Sequence, residues 1–370
     1  MKRIAIVVGT RPEVIKLAPV YIELKKSKQF KPILINTGQH REMVDQMFKW
    51  FGIKADYNLN IMQPNQSLEE ITSSVIGLIS GVLKKTNPDL VIVEGDTTTV
   101  MAASLAAFYL KIPVAHVEAG LRTGDIYNPF PEEMARRIVS HLASIHFAPT
   151  KQAVLNLKKE NISKNVYMTG NSIIDALLYT KKKIDNSAVE MLRATSLPDF
   201  KKYRIILVTM HRRENFGSGH KEIAKILIKI LNKFPNTALL LPLHKNPAVR
   251  KVVKPILEKH PRVFLTEPLD YVPFVYAMKN SYLILSDSGG VQEEAPSLGK
   301  PVLVLRTTTE RPEGIKAGSV KLVGVDPKKI FNETSKLLTD RKAYNKMSKV
   351  KNPYGDGKTA KRIIQILKTL

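Results

Sequence analysis

Two Rossmann-like α/β domains facing a cleft are the fold this sequence predicts, on three observations. Short apolar runs alternate with longer amphipathic stretches from the first residues onward, the pattern of a doubly wound parallel sheet. The alternation lapses near residue 170 and restarts near residue 205, which gives two strand series of similar length. The length agrees, because 370 residues suffice for two domains of ordinary size.

The first series of strands reads Ile4 to Val8, Lys31 to Asn36, Leu90 to Glu94, Val114 to Glu118, Ile145 to Ala148 and Asn165 to Met168. Between them lie helical stretches such as Glu13 to Ser27, Ser67 to Lys85 and Thr97 to Tyr109, with apolar residues at helical spacing. Asn171 to Lys183 reads as a helix, and Asp185 to Lys202 is polar and poor in strand signals. The second series is Ile205 to Thr209, Ala238 to Leu241, Val263 to Leu265, Leu283 to Ser286, Val302 to Leu305 and Lys321 to Val323. A last helix, Asp356 to Leu370, carries Ile363, Ile364 and Leu367 and must dock somewhere; in such architectures it crosses back onto the first domain. The expected domains are therefore 1–170 with 356–370, and 171–355.

Composition narrows the class. An apolar content of 44% with 25% charged residues describes a soluble globular chain. No apolar run approaches the roughly 20 residues of a membrane span. The start, MKRIAIVVGTRPE, reads as a first strand and not as a secretion signal. The chain has no cysteine, which excludes disulfides, thiolate chemistry and Cys-ligated zinc, and a cytoplasmic location is the default. The net charge of +25 suggests nucleic acid at first sight, yet the lysines are scattered and few aromatics interleave them. The reading is a Lys-rich surface that steers an anionic ligand, with no nucleic acid and no membrane.

The segment from Tyr282 to Glu313 says most about that ligand. An apolar strand is broken by Ser288-Gly289-Gly290, a helix follows from Val291 to Leu298, and Gly299-Lys300-Pro301 closes it before the next strand. A Ser-Gly-Gly turn at a helix start presents backbone N–H groups to a phosphate. Glu294, one turn on, suits a ribose diol, and Arg306 and Arg311 follow the next strand as possible phosphate partners. His211, at the end of the strand IILVTM, sits beside Arg212 and Arg213 as a phosphate contact. His244 and the Asp270 to Phe274 loop belong to the same half. The first half supplies acids at strand ends, where open α/β sheets bind ligands. Asp96 follows VIVE, Glu118 ends VAHVE, and Glu132 and Glu133 follow Pro131 at a helix start; Arg11 and Lys16 follow the first strand and face an anion. Singly, Asp96 and Glu132 are helix caps and Glu118 is a partner for Arg122. Together, three acids at neighbouring strand ends provide for a general acid/base pair. His116, Glu118 and Asp96 as a metal site lack a second His and a clear fourth ligand. A dinucleotide site lacks G-x-G-x-x-G after the first strand.

GTRPEVIK (9–16), GQH (38–40), GDTTT (95–99), HVEAGLRT (116–123), PFPEE (129–133), HRREN (211–215), DSGGVQEEAPSLGKPVLVLR (287–306) and TERPE (309–313) resemble, in order, the non-hydrolysing UDP-N-acetylglucosamine 2-epimerases. The resemblance implies a glycosyltransferase-B-like architecture and a reversible C2 epimerisation of UDP-GlcNAc to UDP-ManNAc, feeding ManNAc-containing polysaccharide or glycan synthesis. It implies neither metal nor redox cofactor. UDP leaves as the C2 hydrogen is removed, giving 2-acetamidoglucal, and the two recombine with the proton on the opposite face. It assigns Ser288, Gly289, Gly290, Arg11 and His211 to the diphosphate, Glu294 to the ribose, Arg311 nearby and Phe274 near the uracil. Asp96, Glu118 and Glu132 become the catalytic acids with Lys16 close by, and His211 joins them in the catalytic set. A homodimer and a second UDP-GlcNAc site follow too; Gln39 and His244 match part of that site's pattern, while Arg41-Glu42 and the Gln63 to Gln66 loop depart from it. The alternatives are a UDP-sugar glycosyltransferase of the same fold, a hydrolysing epimerase, a UDP-sugar sensor and a polynucleotide binder.

Overall fold

The computed structural model describes residues 1–39, 41–63, 65–187, 197–212 and 217–370. His40 and Arg213 to Asn215, used in the motif reading, lie outside the described residues, as does part of the polar link from Asp185 to Lys202. The chain divides into two compact units, Met1–Ala176 with Tyr354–Leu370, and Leu177–Pro353.

In the first unit the order is β1 (Lys2–Val8), α1 (Arg11–Lys26), β2 (Phe30–Asn36), α2 (Arg41–Phe51), β3 (Tyr57–Asn58), α3 (Leu68–Thr86), β4 (Leu90–Glu94) and α4 (Thr98–Tyr109). Then come β5 (Val114–Val117), α5 (Glu132–Leu142), β6 (Ile145–Ala148), α6 (Lys151–Lys159) and β7 (Val166–Met168). The strands form a parallel sheet in the order β3-β2-β1-β4-β5-β6-β7. Strand order reverses at β1 and β4, so a crevice opens beyond their carboxyl ends. Ile4, Ile6, Ile35, Ile92 and Phe147 are fully or nearly fully buried, as strands covered on both faces require. Ser67 caps α3 with Glu70 returning to its backbone, and Thr97 caps α4 by accepting from Val100. Two of the elements without a sequence assignment have a plain reason or role. β3 is two residues long, too short for periodicity to register, and α2 buries Val44, Met47, Phe48 and Phe51.

α7 (Ser172–Ser187) runs from the first unit into the second, and the division at Ala176/Leu177 falls inside it, later than residue 170. Its first turn is tied to the C-terminal segment: the Asp175 carboxylate accepts from Thr359 N at 3.1 Å and Ala360 N at 2.9 Å. Those are the orphan donors that begin the last helix.

The second unit holds β8 (Arg204–Thr209), α8 (Ser218–Lys233), β9 (Thr237–Pro242), α9 (Pro247–Leu257), β10 (Val263–Thr266), α10 (Tyr271–Asn280) and β11 (Leu283–Ser286). It continues with α11 (Gly289–Glu294), β12 (Val302–Val304), α12 (Pro312–Ala317), β13 (Val320–Leu322), α13 (Pro327–Thr339) and α14 (Arg341–Ser348). Its parallel sheet runs β10-β9-β8-β11-β12-β13, with the reversal at β8 and β11. Leu285, Leu303, Ile223 and Leu227 centre the core. The helix read as Val291 to Leu298 is instead α11 followed by a 3-10 turn, Ala295–Leu298. Pro296 lacks the N–H that would continue the α-helical ladder. The last helix, α15 (Thr359–Thr369), belongs to the first unit, packs on α1, and buries Ile363, Ile364 and Leu367. Among the described residues no helix is long and apolar enough to cross a membrane.

Two buried histidines face each other in register across β5 and β6, His116 and His146. His116 Nε2 lies 2.8 Å from Gly95 O. Burial pushes both down to about 4. An unfolded chain takes the proton near the ordinary 6.5, so each histidine withdraws stability as pH falls from 6.5 to 4. His116→Asn keeps a donor toward Gly95 and removes the titration. Its stability relative to wild type should improve by on the order of 3 kcal/mol across that window, read by denaturant unfolding; a pH-independent difference contradicts this.

Candidate active site

In the first unit the polar groups gather where β1, β4 and β5 end. Glu13 begins the arrangement. Its Oε2 accepts from Gly9 N at 2.6 Å and Thr10 N at 3.1 Å, and its Oε1 accepts from Thr97 Oγ1 at 2.7 Å. The loop after β1 is thereby tied to the loop after β4. Burial raises the Glu13 carboxyl, with those hydrogen bonds opposing. One turn further along α1, Lys16 Nζ lies 2.8 Å from Glu94 Oε1 and 2.7 Å from Glu118 Oε1. Glu118 Oε2 accepts from Asn171 Nδ2 at 2.8 Å. Lys16 thus faces two carboxylates and not an open anion position.

Glu118 stands just beyond β5 with φ +65, so the strand stops at Val117 and not at Glu118 as expected. A left-handed backbone at a non-glycine residue is strained, and such strain is held where surroundings over-determine it. Gly120 follows at φ +90, where an added Cβ would stand 2.3 Å from Ala153 O. The pairing of Glu118 with Arg122 does not form; Arg122 bonds Glu160 and Ser140 instead. Asp96 is no helix cap either. Its Oδ2 accepts from Arg136 Nε at 2.8 Å, and Arg136 Nη1 donates to Glu133 Oε2 at 3.0 Å. Glu132 is the first residue of α5, and its buried Oε2 has no hydrogen-bond partner among the described residues. Arg11 opens α1 half-buried, and Gln39 Oε1 accepts from Thr99 Oγ1 at 2.7 Å. With its ring bonded to Gly95, His116 is a core residue. Among the described residues no three or more His, Asp and Glu converge as metal ligands.

In the second unit Asp287 is fully buried after β11. Its Oδ2 accepts from His211 N at 2.7 Å and Arg212 N at 2.9 Å, and Oδ1 lies 2.8 Å from His211 Nδ1. Burial raises the Asp287 carboxyl, but the bonds from the His211 ring and both amides outweigh it, so the net shift is downward. The His211 ring therefore turns its Nε2 edge outward. His244 is exposed, its ring centroid 6.0 Å from that of His211. The Ser288 amide bonds Ser286 Oγ at 2.9 Å, so of the Ser-Gly-Gly unit Gly289 and Gly290 carry the N–H groups without partners inside α11. An added Cβ at Gly289 would stand 2.4 Å from Arg311 Nη1, so only glycine admits the arginine there. Arg311 Nε bonds Glu293 at 2.6 Å, and Arg306 Nη1 and Arg311 Nη1 both bond Glu310. Burial opposes ionisation of Glu310, but the two arginines hold it down to about 2. Both arginines thus have acidic partners within the second unit. Glu294 is buried near Tyr271, whose phenol is pushed well up by burial and by that carboxylate. Phe274 is half-buried in α10; its neighbour Pro273 lines a cavity of about 470 Å³ with Leu269 and Asp270.

A family model described as UDP-N-acetylglucosamine 2-epimerase matches residues 22–368. The chain belongs to the UDP-N-acetylglucosamine 2-epimerase family. It is 50% identical to the UDP-N-acetylglucosamine 2-epimerase of Neisseria meningitidis over 99% of both chains, and 48% identical to that of Escherichia coli K12 over 99% of this chain and 98% of the other. A crystal structure of the Neisseria meningitidis enzyme bound to UDP-GlcNAc superposes with TM-score 0.91 at 49% identity, covering 100% of both chains. The Methanocaldococcus jannaschii enzyme in complex with UDP-GlcNAc and UDP gives 0.81 at 36%, again over 100% of each. A glycotransferase of kitacinnamycin, 10% identical with TM-score 0.67, shares the fold alone.

Among the buried charges of this epimerase-family chain that escaped the sequence reading are Glu13, Glu94, Arg136 and Asp287. Glu94 carried a signal, a carboxylate ending an otherwise apolar strand, and Glu13 another, the Thr10-x-x-Glu13 capping box; Asp96 and His211, the partners of Arg136 and Asp287, are distant in sequence. Arg136→Met should take from the fully buried Glu133 the nearer of its two arginines, leaving the Thr123 and Gly124 amides and Arg137 at 3.7 Å, and lower stability by about 3 kcal/mol in denaturant unfolding. Arg136→Lys should lose less, and a loss near zero for Met would contradict the ion-pair account.

Proposed function

We propose that the protein reversibly epimerises UDP-GlcNAc to UDP-ManNAc at C2 through elimination and re-addition of UDP. The observation that carries this is likeness along the whole chain to named UDP-N-acetylglucosamine 2-epimerases at about 50% identity. The chemistry explains the residue types. C2–H has no adjacent carbonyl to acidify it, so its loss is coupled to departure of a stabilised diphosphate. A carboxylate takes the C2 proton, the C2–H electron pair forms the C1=C2 bond, and the C1–O bond breaks to UDP. The resulting 2-acetamidoglucal takes UDP back at C1 and a proton on the other face of C2. No net redox change occurs.

In this reading Asp96 and Glu118 handle the proton on the two faces and Glu132 orients them. Arg11, His211, Gly289 and Gly290 with Ser288 hold the diphosphate, Arg311 acts beside them, Glu294 takes the ribose, and Phe274 lies at the uracil. Lys16 governs Glu118, as its geometry supports. A carboxylate with an ordinary pKa of about 4 is a poor base for such a proton, so a buried setting for the acids favours the chemistry. Glu118 is 8% exposed. Assembly as a homodimer belongs to the same proposal, and exposed Leu78, Phe108 and Tyr109 on the packed pair α3 and α4 suit it. A solution mass of one 41.5 kDa chain would overturn it.

Incubating UDP-GlcNAc alone in D2O should yield UDP-ManNAc with deuterium at C2, followed by NMR. Retention of the original hydrogen sinks the elimination route. A requirement for an acceptor points to a glycosyltransferase, and release of free ManNAc points to a hydrolysing epimerase. Asp96→Asn and Glu118→Gln should lose turnover by about 10²- to 10⁴-fold while still binding UDP. Near-normal turnover in either variant removes that acid from the mechanism.

A further inference from the structure

Arg136 stands one turn after Glu133 on α5, and the two side chains meet on one face of that helix. The guanidinium spans two strand-end loops. Its Nε and Nη2 lie 2.8 Å and 2.7 Å from Asp96 Oδ2, in the loop after β4, and its Nη1 donates to Glu133 Oε2 at 3.0 Å. Glu133 in turn accepts from the amides of Thr123 at 3.0 Å and Gly124 at 3.4 Å, in the segment after β5. No substrate role falls to Arg136 in the reading above.

The backbone beside Asp96 is fixed independently. Gly95 N donates to Val117 O at 3.1 Å, and Gly95 O lies 2.8 Å from His116 Nε2. What remains is rotation of the Asp96 side chain, and there Arg136 decides. Both of its contacts fall on Oδ2, whereas Oδ1 has no hydrogen-bond partner among the described residues. The Asp96 side chain is 23% exposed, which leaves Oδ1 as the oxygen open to a ligand. We propose that Arg136 is a positioning residue: it clamps Oδ2 and presents Oδ1 of Asp96 as the oxygen that exchanges the proton with C2. The proposal rests on the reading of Asp96 as an acid that works on C2.

The local charges permit the step. With Asp96 ionised, two carboxylates (Asp96 and Glu133) face two guanidiniums, Arg136 and Arg137, the latter with its Nε 3.7 Å from Glu133 Oε1. The neighbouring Glu160 is taken by Arg122. When Oδ1 takes the C2 proton, the C2–H bond breaks, an O–H bond forms on Asp96, and the electron pair forms C1=C2 as UDP leaves. Arg136 then keeps the fully buried Glu133, so no guanidinium is stranded in the interior. The positive charge left over sits with Arg137, whose side chain is 37% exposed to water. In the reverse direction Oδ1–H returns its proton while Oδ2 is still held. Turning the carboxyl group over would break both guanidinium contacts at once, a restraint that the point charge of a lysine does not reproduce.

Steady-state kcat and KM for UDP-GlcNAc in wild type, Arg136→Lys, Asp96→Asn and the double variant test this, with kcat taken per folded molecule. Arg136→Lys keeps a cation beside Glu133; its kcat should fall roughly 10- to 100-fold with KM within about twofold. On the Asp96→Asn background the same change should cost less than about twofold, because no carboxylate remains to be aimed. Arg136→Gln, uncharged, should show the same dependence on background and serves if the Lys variant unfolds. A loss of equal size in both backgrounds, or one confined to melting temperature, marks a structural residue and overturns the proposal. Wild type that does not epimerise, or Asp96→Asn with near-normal turnover, overturns the underlying reading and this role with it. Active wild type, an impaired Asp96→Asn and normal turnover in Arg136→Lys overturn this role alone.

Discussion

A single ammonium between two buried carboxylates is the constraint on which the first unit's polar architecture depends. Lys16 reaches Glu94 and Glu118 only because α1 starts at a fixed height above the sheet. Glu13 sets that height by holding the amides of Gly9 and Thr10 and the hydroxyl of Thr97. The same contacts tie the loops after β1 and β4 across the point where strand order reverses. Glu118 completes the set with a backbone that leaves the strand region, held by Asn171 and by the glycine two residues on. Buried charge of this kind adds little to stability against an apolar replacement. In the proposed reaction the carboxylates serve chemistry that needs them out of water.

The second unit repeats the device with one carboxylate. Asp287 fixes the segment after β8 through two amides and the His211 ring. Around it, Arg306, Arg311, Glu293 and Glu310 form a network in which each guanidinium already has an acidic partner. A departing diphosphate would meet oriented groups and not bare cations, which suits a ligand that must leave and then return. Tight, unconditional capture of UDP would stall the second half of the reaction.

Much of the fold was legible because parallel strands buried on both faces read as continuous apolar runs. Leu90 to Glu94, Ile145 to Ala148 and Leu283 to Ser286 have the bounds read from sequence. β3 was too short to read, and the helix at Val291 broke at Pro296 for a reason the sequence contains. The acids were visible as residue types at strand ends. Their partners were not: Lys16 and Glu118 are 102 positions apart, and Arg136 and Asp96 are 40. Nothing local distinguishes an arginine bound to Asp96 from one on a solvated helix face. Reading Arg122 as the partner of Glu118 failed because Glu118 turns left-handed and sends its side chain to α1 instead.

The Lys16 constraint is open to direct observation by denaturant unfolding of Lys16→Met. The account predicts a loss of about 3 kcal/mol, because the buried Glu94 and Glu118 carboxylates lose the ammonium between them. A loss near zero would contradict it.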